Sequence, residues 1–245
     1  MADITAAVLA DLAPTGKLRA GINYGNFILA AKDPATGESS GVAIDLMHDI
    51  AKRLGVPAEI IPYDSVAAMG DAVSSNVWDI AFLGSDPQRE QIMDFTQAYL
   101  EINATYLVPD NSPFKTTDEV DNEGICIAAP ARANFELYLN RNLKRAKLVS
   151  TQGGDAAFEM LSAGKVNALA GLTQGLLDLA AKLPGSRVLN GRFMSVQQSI
   201  ALPKNRHSGL AYLRRVIEEG KTSGLIAHAI ERTAVLGVSV APSMD

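Results

Sequence analysis

Residues 78–90, WDIAFLGSDPQRE, join a buried strand to the start of a new element. The near-continuous apolar run over 78–84 is typical of a strand covered on both faces of a parallel sheet. Ser85 or Asp86 can act as an N-cap and Pro87 suits a first helical position, so the sequence predicts a helix from Pro87. Arg89 then lies in the first turn, where a cation opposes the helix dipole. Two interpretations follow: Arg89 binds an anionic ligand there, or it is a solvated side chain paired with a nearby acid.

Outward from this segment, strands and helices alternate. A helix is predicted from five apolar residues at helical spacing, and Gly55 and Pro57 end it; the five are Ile44, Met47, Ile50, Ala51 and Leu54. Strands are predicted over 17–23, 58–63 and 78–84, with a short helix over 65–75. This βαβαβ order predicts a parallel, doubly wound sheet.

The pattern restarts after a strand over 104–109 and the break PDNSPFK. We predict strands over 124–130, 146–150, 166–172 and 186–189, and helices over 133–143, 154–165 and 173–183. An extended segment over 193–203 then begins a return, and two amphipathic helices split at Gly220 and Ser223 close the chain. Two successive α/β units and a helical tail predict two lobes with two crossings between them.

Composition excludes several classes of protein. The chain has 245 residues, of which 47% are hydrophobic and 20% charged, as in soluble globular proteins. Its net charge of −5 and scattered basic residues argue against a nucleic acid partner. No apolar run approaches the ~18 residues of a membrane span. The single cysteine, Cys126, lies in a predicted buried strand, and no metal-ligand spacing, nucleophile elbow or phosphate loop appears, so we expect neither metal nor cofactor.

Four segments in register resemble the type II periplasmic solute-binding proteins, and in particular the family-3 proteins of amino-acid ABC transporters. They are GKLRAGIN, GESSGVAIDLMHDIAKRLGV, WDIAFLGSDPQREQIMDFTQAYL and LSAGKVNALAG. The resemblance implies two α/β lobes, each a doubly wound sheet flanked by helices, that close over a ligand in the cleft. Lobe 1 is expected over 1–107 plus 198–245 and lobe 2 over 108–197, with hinge crossings near 108 and 199. It further implies a non-enzymatic, monomeric binding component that delivers a small carboxylate-bearing ligand to a transporter permease.

The resemblance also implies a ligand site. The family's Thr-Pro-Glu-Arg is matched by residues 86–89, which places the family's carboxylate-binding arginine at Arg89. A guanidinium is always charged and presents a planar fork that matches a carboxylate. The family's hydroxyl residue that helps to bind the carboxylate is matched by Gly84, so either Ser85 or the bare backbone N–H is expected to take its place. Further candidates around the cleft are Asn23, Asn26, Phe27, Tyr63 and Gln198, and each is equally well explained as a packing or hinge residue.

Lobe 2 departs from the family pattern. Arg132 and Asn134 stand in the segment where the family has a Gly-Thr turn; Arg132 could be a second cation for the carboxylate or a surface residue. Amino-acid binders place an ammonium-binding aspartate after the segment matched by NALAG, but here Thr173 and Gln174 follow, with no acid until Asp178. A buried ammonium without a carboxylate is costly. We therefore expect a carboxylate without an α-amine, or a polar molecule bound by neutral amides.

Two alternatives share this fold: a cyclic-carboxylate dehydratase and the ligand-sensing domain of a regulator. Acid catalysis would need a carboxylic acid or histidine in the cleft, whereas His48, His207 and His228 fall on predicted helices or their approaches. The N-terminus has acids where a secretory signal needs a basic segment. The resemblance implies a periplasmic protein whose signal was removed; if Met1 is the native start, the protein is cytoplasmic.

Overall fold

The computed structural model describes residues 4–243. Its helices are α1 Ala6–Leu12, α2 Val42–Leu54, α3 Val66–Asp71, α4 Asn134–Asn142, α5 Gly154–Ser162, α6 Thr173–Lys182, α7 His207–Thr222 and α8 Leu225–Thr233. Its strands are β1 Leu18–Asn23, β2 Ala31–Lys32, β3 Ser39–Ser40, β4 Ala58–Tyr63, β5 Ile80–Gly84, β6 Met93–Phe95, β7 Leu100–Pro109, β8 Cys126–Pro130, β9 Lys147–Thr151, β10 Ala168–Leu172, β11 Ser186–Val188, β12 Met194–Pro203 and β13 Val238–Val240. Single 3-10 turns cover Ala72–Ser75, Arg89–Gln91 and Thr117–Val120.

The chain divides into two compact units. Unit 1 runs to Glu101 and continues over Gln197–Val235 and from Ser239 onward, while unit 2 contains Ile102–Val196 and Leu236–Val238. The predicted lobe boundaries differ from these: residues 102–107 and 236–238 were expected in lobe 1 but lie in unit 2, and Gln197 was expected in lobe 2 but lies in unit 1. Residues 236–238 are far from the rest of unit 2 in the sequence. They join unit 2 because β13 pairs with β7 and the Asn103 N–H donates to the Gly237 carbonyl at 2.8 Å. The ends of the predicted lobe 1, residues 1–3 and 244–245, lie outside the described residues.

Unit 1 is built on a sheet of order β4–β1–β5–β12, with β6 paired to β12. Strand β1 is parallel to both β4 and β5, as the βαβαβ pattern predicts, whereas β12 returns antiparallel to β5. Every residue of β5 is buried, which explains its unbroken apolar sequence. One face of the sheet packs against Met69 and Trp78, and the Trp78 indole donates to the Met69 carbonyl at 3.2 Å.

Helix α2 follows the predicted signals closely. Its five periodic apolar residues are all buried. Gly55 follows the last residue with φ 70°, and its N–H donates to the final turn. This left-handed position suits glycine, and the helix therefore ends where the sequence places its stop.

A buried ion network holds the amino ends of the unit 1 strands. Asp79 is fully buried directly before β5 and accepts from the Arg19 Nε–H at 2.9 Å and a terminal N–H at 2.7 Å. The Arg206 guanidinium donates to the same carboxylate at 3.2 Å and to the Asp11 carbonyl at 2.6 Å. The network joins β1, β5, α1 and the start of α7.

Unit 2 has a sheet of order β7–β10–β8–β9, with β11 and β13 also paired to β7. Strands β10, β8 and β9 are parallel, and β7 is antiparallel to β10. Its core surrounds Tyr106, Phe135 and Leu139. The Tyr106 ring stacks on Phe193 with centroids 4.6 Å apart.

The helix predicted from Pro87 is wrong. The segment after β5 forms one 3-10 turn, Arg89–Gln91, and then enters β6 at Met93. The Asp86 carboxylate accepts the Gln88 N–H at 2.9 Å, which starts the turn, but residues 87–92 carry no apolar stripe that a longer helix could bury. None of the helices in the described part of the chain combines the length and apolar character that a membrane crossing needs.

Candidate functional site

The carboxyl ends of three parallel strands in unit 1 meet at one sheet edge. Asn23, at the end of β1, is opposite Tyr63, at the end of β4. Strand β5 ends beside them at Gly84, and Gln198 of β12 is paired opposite Gly84. Open α/β sheets bind ligands outside the carboxyl ends of their strands. Four of the residues predicted from sequence therefore lie at the edge where a ligand site is expected.

Arg89 folds back onto this edge. Its side chain is 9% exposed, and its guanidinium donates to the Gly84 carbonyl at 2.7 Å. Ser85 continues the pairing beyond β5, because its N–H donates to the Gln197 carbonyl at 2.9 Å. The guanidinium is thus fixed at the end of a buried strand, in surroundings where a charge-assisted hydrogen bond to a ligand gains strength from the low dielectric.

The loop after β1 presents an amide and an aromatic ring. The Asn23 side chain accepts the Gly25 N–H at 2.9 Å and forms an Asx turn. Asn26 follows with a buried Oδ1 that has no hydrogen-bond partner among the described residues. Phe27 is 44% exposed, an uncommon position for a large apolar side chain in this chain. Tyr63 is half-buried, and burial raises the pKa of its hydroxyl.

Gln198 and Tyr99 are two further buried polar side chains of unit 1. Gln198 is 4% exposed, Tyr99 is fully buried, and the Tyr99 N–H donates to the Gln198 carbonyl at 2.8 Å. Gln198 Oε1 and the Tyr99 hydroxyl both lack a hydrogen-bond partner in the described part of the chain. Burial raises the pKa of Tyr99 far above its ordinary value, so its hydroxyl stays protonated. Tyr99 was not predicted from the sequence, because no local sequence pattern shows that a tyrosine hydroxyl will be buried without a hydrogen-bond partner.

In unit 2, Arg132 and Asn134 lie where α4 begins. Arg132 is exposed in a left-handed conformation, φ 63°, whereas Asn134 is buried as the first helical residue. Glu136, which the sequence analysis missed, is buried in the first turn and accepts the Arg132 N–H at 3.0 Å and the Ser150 hydroxyl at 2.6 Å. The amino end of α4 thus already holds a carboxylate of the chain itself.

Thr173 and Gln174 begin α6 and hold neighbouring backbone. The Thr173 hydroxyl donates to the Asn103 carbonyl at 3.1 Å. Gln174 Oε1 accepts the Leu236 N–H at 2.9 Å, and its Nε2 donates to Asp178 at 2.9 Å. Both side chains therefore make structural contacts within unit 2. As the residues that replace an ammonium-binding acid, they were expected to face a ligand instead.

Histidine, cysteine and acidic side chains are the groups that could form a metal or acid–base centre. As predicted, His48, His207 and His228 all lie on helices, namely α2, α7 and α8. Within residues 4–243 no group of three or more histidine, cysteine or acidic side chains is placed to hold a metal ion. An open cavity of about 530 Å³ in unit 1 is lined by residues of α3, the following 3-10 turn and the ends of β6 and β12, including Gly70, Ile92 and Lys204. It contains none of the predicted site residues.

Comparison with known proteins finds solute-binding proteins among the relatives of this chain. Residues 18–233 match the family model of the bacterial extracellular solute-binding proteins, family 3. A glutamine-binding protein of Geobacillus stearothermophilus is 23% identical over 193 residues, which cover 77% of this chain and 73% of that protein.

Solved structures share the fold. A mutant of ArgBP from T. maritima superposes with a TM-score of 0.74 at 21% identity, over 92% of this chain and 98% of that chain. An amino acid ABC transporter substrate-binding protein from Streptococcus pneumoniae, bound to L-arginine, has a TM-score of 0.74 at 24% identity, over 97% and 100% of the two chains. A reconstructed ancestral amino acid-binding protein, a precursor of cyclohexadienyl dehydratase, has a TM-score of 0.74 at 23% identity, over 91% and 98%.

Two α/β units with polar side chains at the strand ends, superposing on solved members with TM-scores near 0.74, define a protein of the type II periplasmic-binding-protein fold. The chain belongs to the bacterial extracellular solute-binding proteins of family 3. It is a solute-binding protein, and the family resemblance and fold predicted from the sequence are confirmed.

Proposed function

We propose that this protein is the solute receptor of an ABC-type uptake system and binds a small, amino-acid-like carboxylate. The observation that carries the proposal is the Arg89 guanidinium, buried at the end of β5 and oriented by the Gly84 carbonyl. Arginine presents five N–H donors in a planar fork that matches a carboxylate. Relatives named for glutamine and arginine binding support a ligand of this size and chemistry.

The remaining candidates of unit 1 suit the rest of such a ligand. Phe27 offers an exposed ring face, and Tyr63 lies at the neighbouring strand end. Asn26 has a buried acceptor that finds no hydrogen-bond partner among residues 4–243. These side chains supply apolar surface and neutral hydrogen-bonding groups around one cation, which is the usual composition of a small-molecule site.

We further propose that the ligand carries no α-ammonium group. Thr173 and Gln174 stand where amino-acid binders place an acid, and the side chains of both are engaged with backbone groups of unit 2. A ligand ammonium at that position would be desolvated without a carboxylate to pair with it. A keto, hydroxy or N-acylated acid avoids this cost. The permease that accepts the ligand and the extracytoplasmic location follow from the family and are part of the proposal.

A thermal-shift screen tests the proposal. The panel contains amino acids, the matching keto and hydroxy acids, N-acylated acids and aromatic acids. A ligand that binds only the folded protein at a thousandfold excess over its Kd adds about 4 kcal/mol of stability, which raises the melting temperature by several degrees. We expect carboxylates to raise the melting temperature of the wild type much more than that of Arg89→Ala, with Arg145→Ala, an exposed arginine of unit 2, as the matched control. A panel in which only uncharged compounds shift the wild type would contradict the proposal.

A further inference from the structure

The buried amide of Gln198 has a placement that packing alone does not explain. Its side chain is 4% exposed, and its Oε1 has no hydrogen-bond partner within residues 4–243. An amide oxygen taken out of water without a donor destabilises the fold, so buried acceptors are nearly always paired. An apolar residue would fill the same position without this penalty.

The backbone fixes where this amide lies. In the antiparallel pair of β12 and β5, Gln198 is opposite Gly84, and Ile200 is opposite Phe82 two residues further on. Alternate residues of a strand share one face, so Gln198 lies on the same face as Gly84 and Phe82. The Gly84 carbonyl is the acceptor that orients Arg89 at 2.7 Å. Gln198 is therefore paired with the residue whose carbonyl orients Arg89.

A neutral acceptor and a cation in one ligand site select a particular ligand chemistry. The guanidinium requires an anionic group, and the amide oxygen requires a hydrogen-bond donor. An ammonium donor would carry a full charge into a site whose Gln198 acceptor is uncharged, whereas an amide or lactam N–H brings the donor without the charge. Arg89 and Gln198 together match a carboxylate that bears a neutral N–H group close by.

We propose that Gln198 is a specificity-determining residue whose Oε1 accepts a neutral N–H of the ligand held by Arg89, so that the ligand class is a carboxylate carrying an amide or lactam N–H. This inference rests on the proposed function and narrows its substrate class. N-acylated amino acids and lactam carboxylates fit the description, and their ester and lactone analogues, which lack the N–H, do not.

Matched pairs of probes test the inference by calorimetry at one pH and salt concentration. Each pair joins an N-acetyl amino acid to the O-acetyl hydroxy acid of the same side chain, and pyroglutamate is paired with its lactone analogue. We expect the N–H member of at least one pair to bind the wild-type protein about tenfold more tightly than its partner. In Gln198→Leu this preference is lost, while the ester or lactone member binds as before. Equal binding within every pair, or no binding by any of them, overturns the inference.

Two further measurements separate this inference from its competitors. Without ligand, Gln198→Leu should unfold at a higher urea concentration than the wild type, because the substitution removes an unpaired acceptor. A lower unfolding midpoint would show that buried water or Tyr99 donates a hydrogen bond to the amide, and it would overturn the inference. Gln197→Leu is the matched control, since its Nε2 donates to Glu101 at 2.9 Å, and it should keep the N–H preference. If Arg89→Ala binds the probes as tightly as the wild type does, with the N–H preference intact, the proposed carboxylate anchor fails while the role of Gln198 stands.

Discussion

Asp79→Ala is expected to destabilise the protein more than any exposed charge substitution. The carboxylate is fully buried and accepts from the Arg19 guanidinium at 2.9 and 2.7 Å, from the Arg19 backbone N–H at 3.1 Å and from Arg206 at 3.2 Å. Side-chain exposure of the two arginines is only 18% and 15%, so the substitution leaves two largely desolvated cations without their counter-ion. Removing one partner of a buried ion pair costs about 3–5 kcal/mol. That is a large part of a typical stability of about 5–15 kcal/mol.

Urea unfolding monitored by circular dichroism measures the effect. The matched control is Asp94→Ala, whose carboxylate pairs with Lys204 at 2.8 Å while the lysine side chain remains 40% exposed. A surface pair of this kind contributes about 0–1 kcal/mol. If Asp79→Ala loses no more stability than Asp94→Ala, the argument that burial makes this network important is refuted.

Two other substitutions test a hydroxyl that has no hydrogen-bond partner in the described residues and a carboxylate that has several. Tyr99→Phe removes a fully buried hydroxyl that has no hydrogen-bond partner in the described residues. The free energy of unfolding should therefore stay the same or rise by up to about 1 kcal/mol. A decrease of more than about 1 kcal/mol would show that the hydroxyl makes a hydrogen bond after all. Burial opposes the ionisation of the Asp121 carboxyl. Hydrogen bonds from the backbone N–H groups of residues 146, 145 and 144 outweigh this effect of burial and hold the pKa of the carboxyl below its ordinary 3.8. A depressed folded-state pKa stabilises the fold above the unfolded-state pKa, and this contribution is lost as pH falls through the folded-state pKa. Asp121→Asn should therefore be less stable than the wild type at pH 7, with the difference shrinking as the pH is lowered below about 3.8; a difference independent of pH would argue against ionised Asp121 as its source.

Elements with a complete local signal could be predicted from the sequence. Helix α2 has its apolar stripe and its terminal Gly55, and β4 and β5 are uniform or alternating apolar runs between turn signals. In each case the residues that form the element also identify its ends. The parallel arrangement of β1, β4 and β5 followed from the helices between them.

The segment from Pro87 shows why a start signal is insufficient. Asp86 and Pro87 begin a turn, as their types indicate, but the chain leaves it after three residues because nothing apolar follows at helical spacing. The β2–β3 hairpin has no strand pattern in the sequence, because its strands have only two residues each. Short elements of this kind depend on pairing with other parts of the chain, which a local pattern does not contain.

The candidate site was predictable in outline and not in its contacts. The family resemblance pointed to Asn23, Tyr63 and Gly84, and all three lie at strand ends, where open α/β sheets bind ligands. Gln174 accepts a hydrogen bond from the N–H of Leu236, which is 62 residues away in the sequence, and no local sequence pattern predicts this contact. Likewise, the sequence does not show that Gln198 Oε1 has no hydrogen-bond partner in the described residues, because this depends on where all the surrounding donors lie.

The most direct test of a carboxylate receptor centred on Arg89 is calorimetry of the best ligand from the screen against wild type, Arg89→Ala and Arg89→Lys. A bidentate, charge-assisted contact is worth about 3 kcal/mol, so we predict about a hundredfold loss of affinity in Arg89→Ala and a smaller loss in Arg89→Lys. The unfolding midpoint of each variant without ligand checks that the fold is intact. Arg145→Ala should bind as the wild type does. An Arg89→Ala affinity within about threefold of wild type, under ~0.7 kcal/mol, would contradict the account.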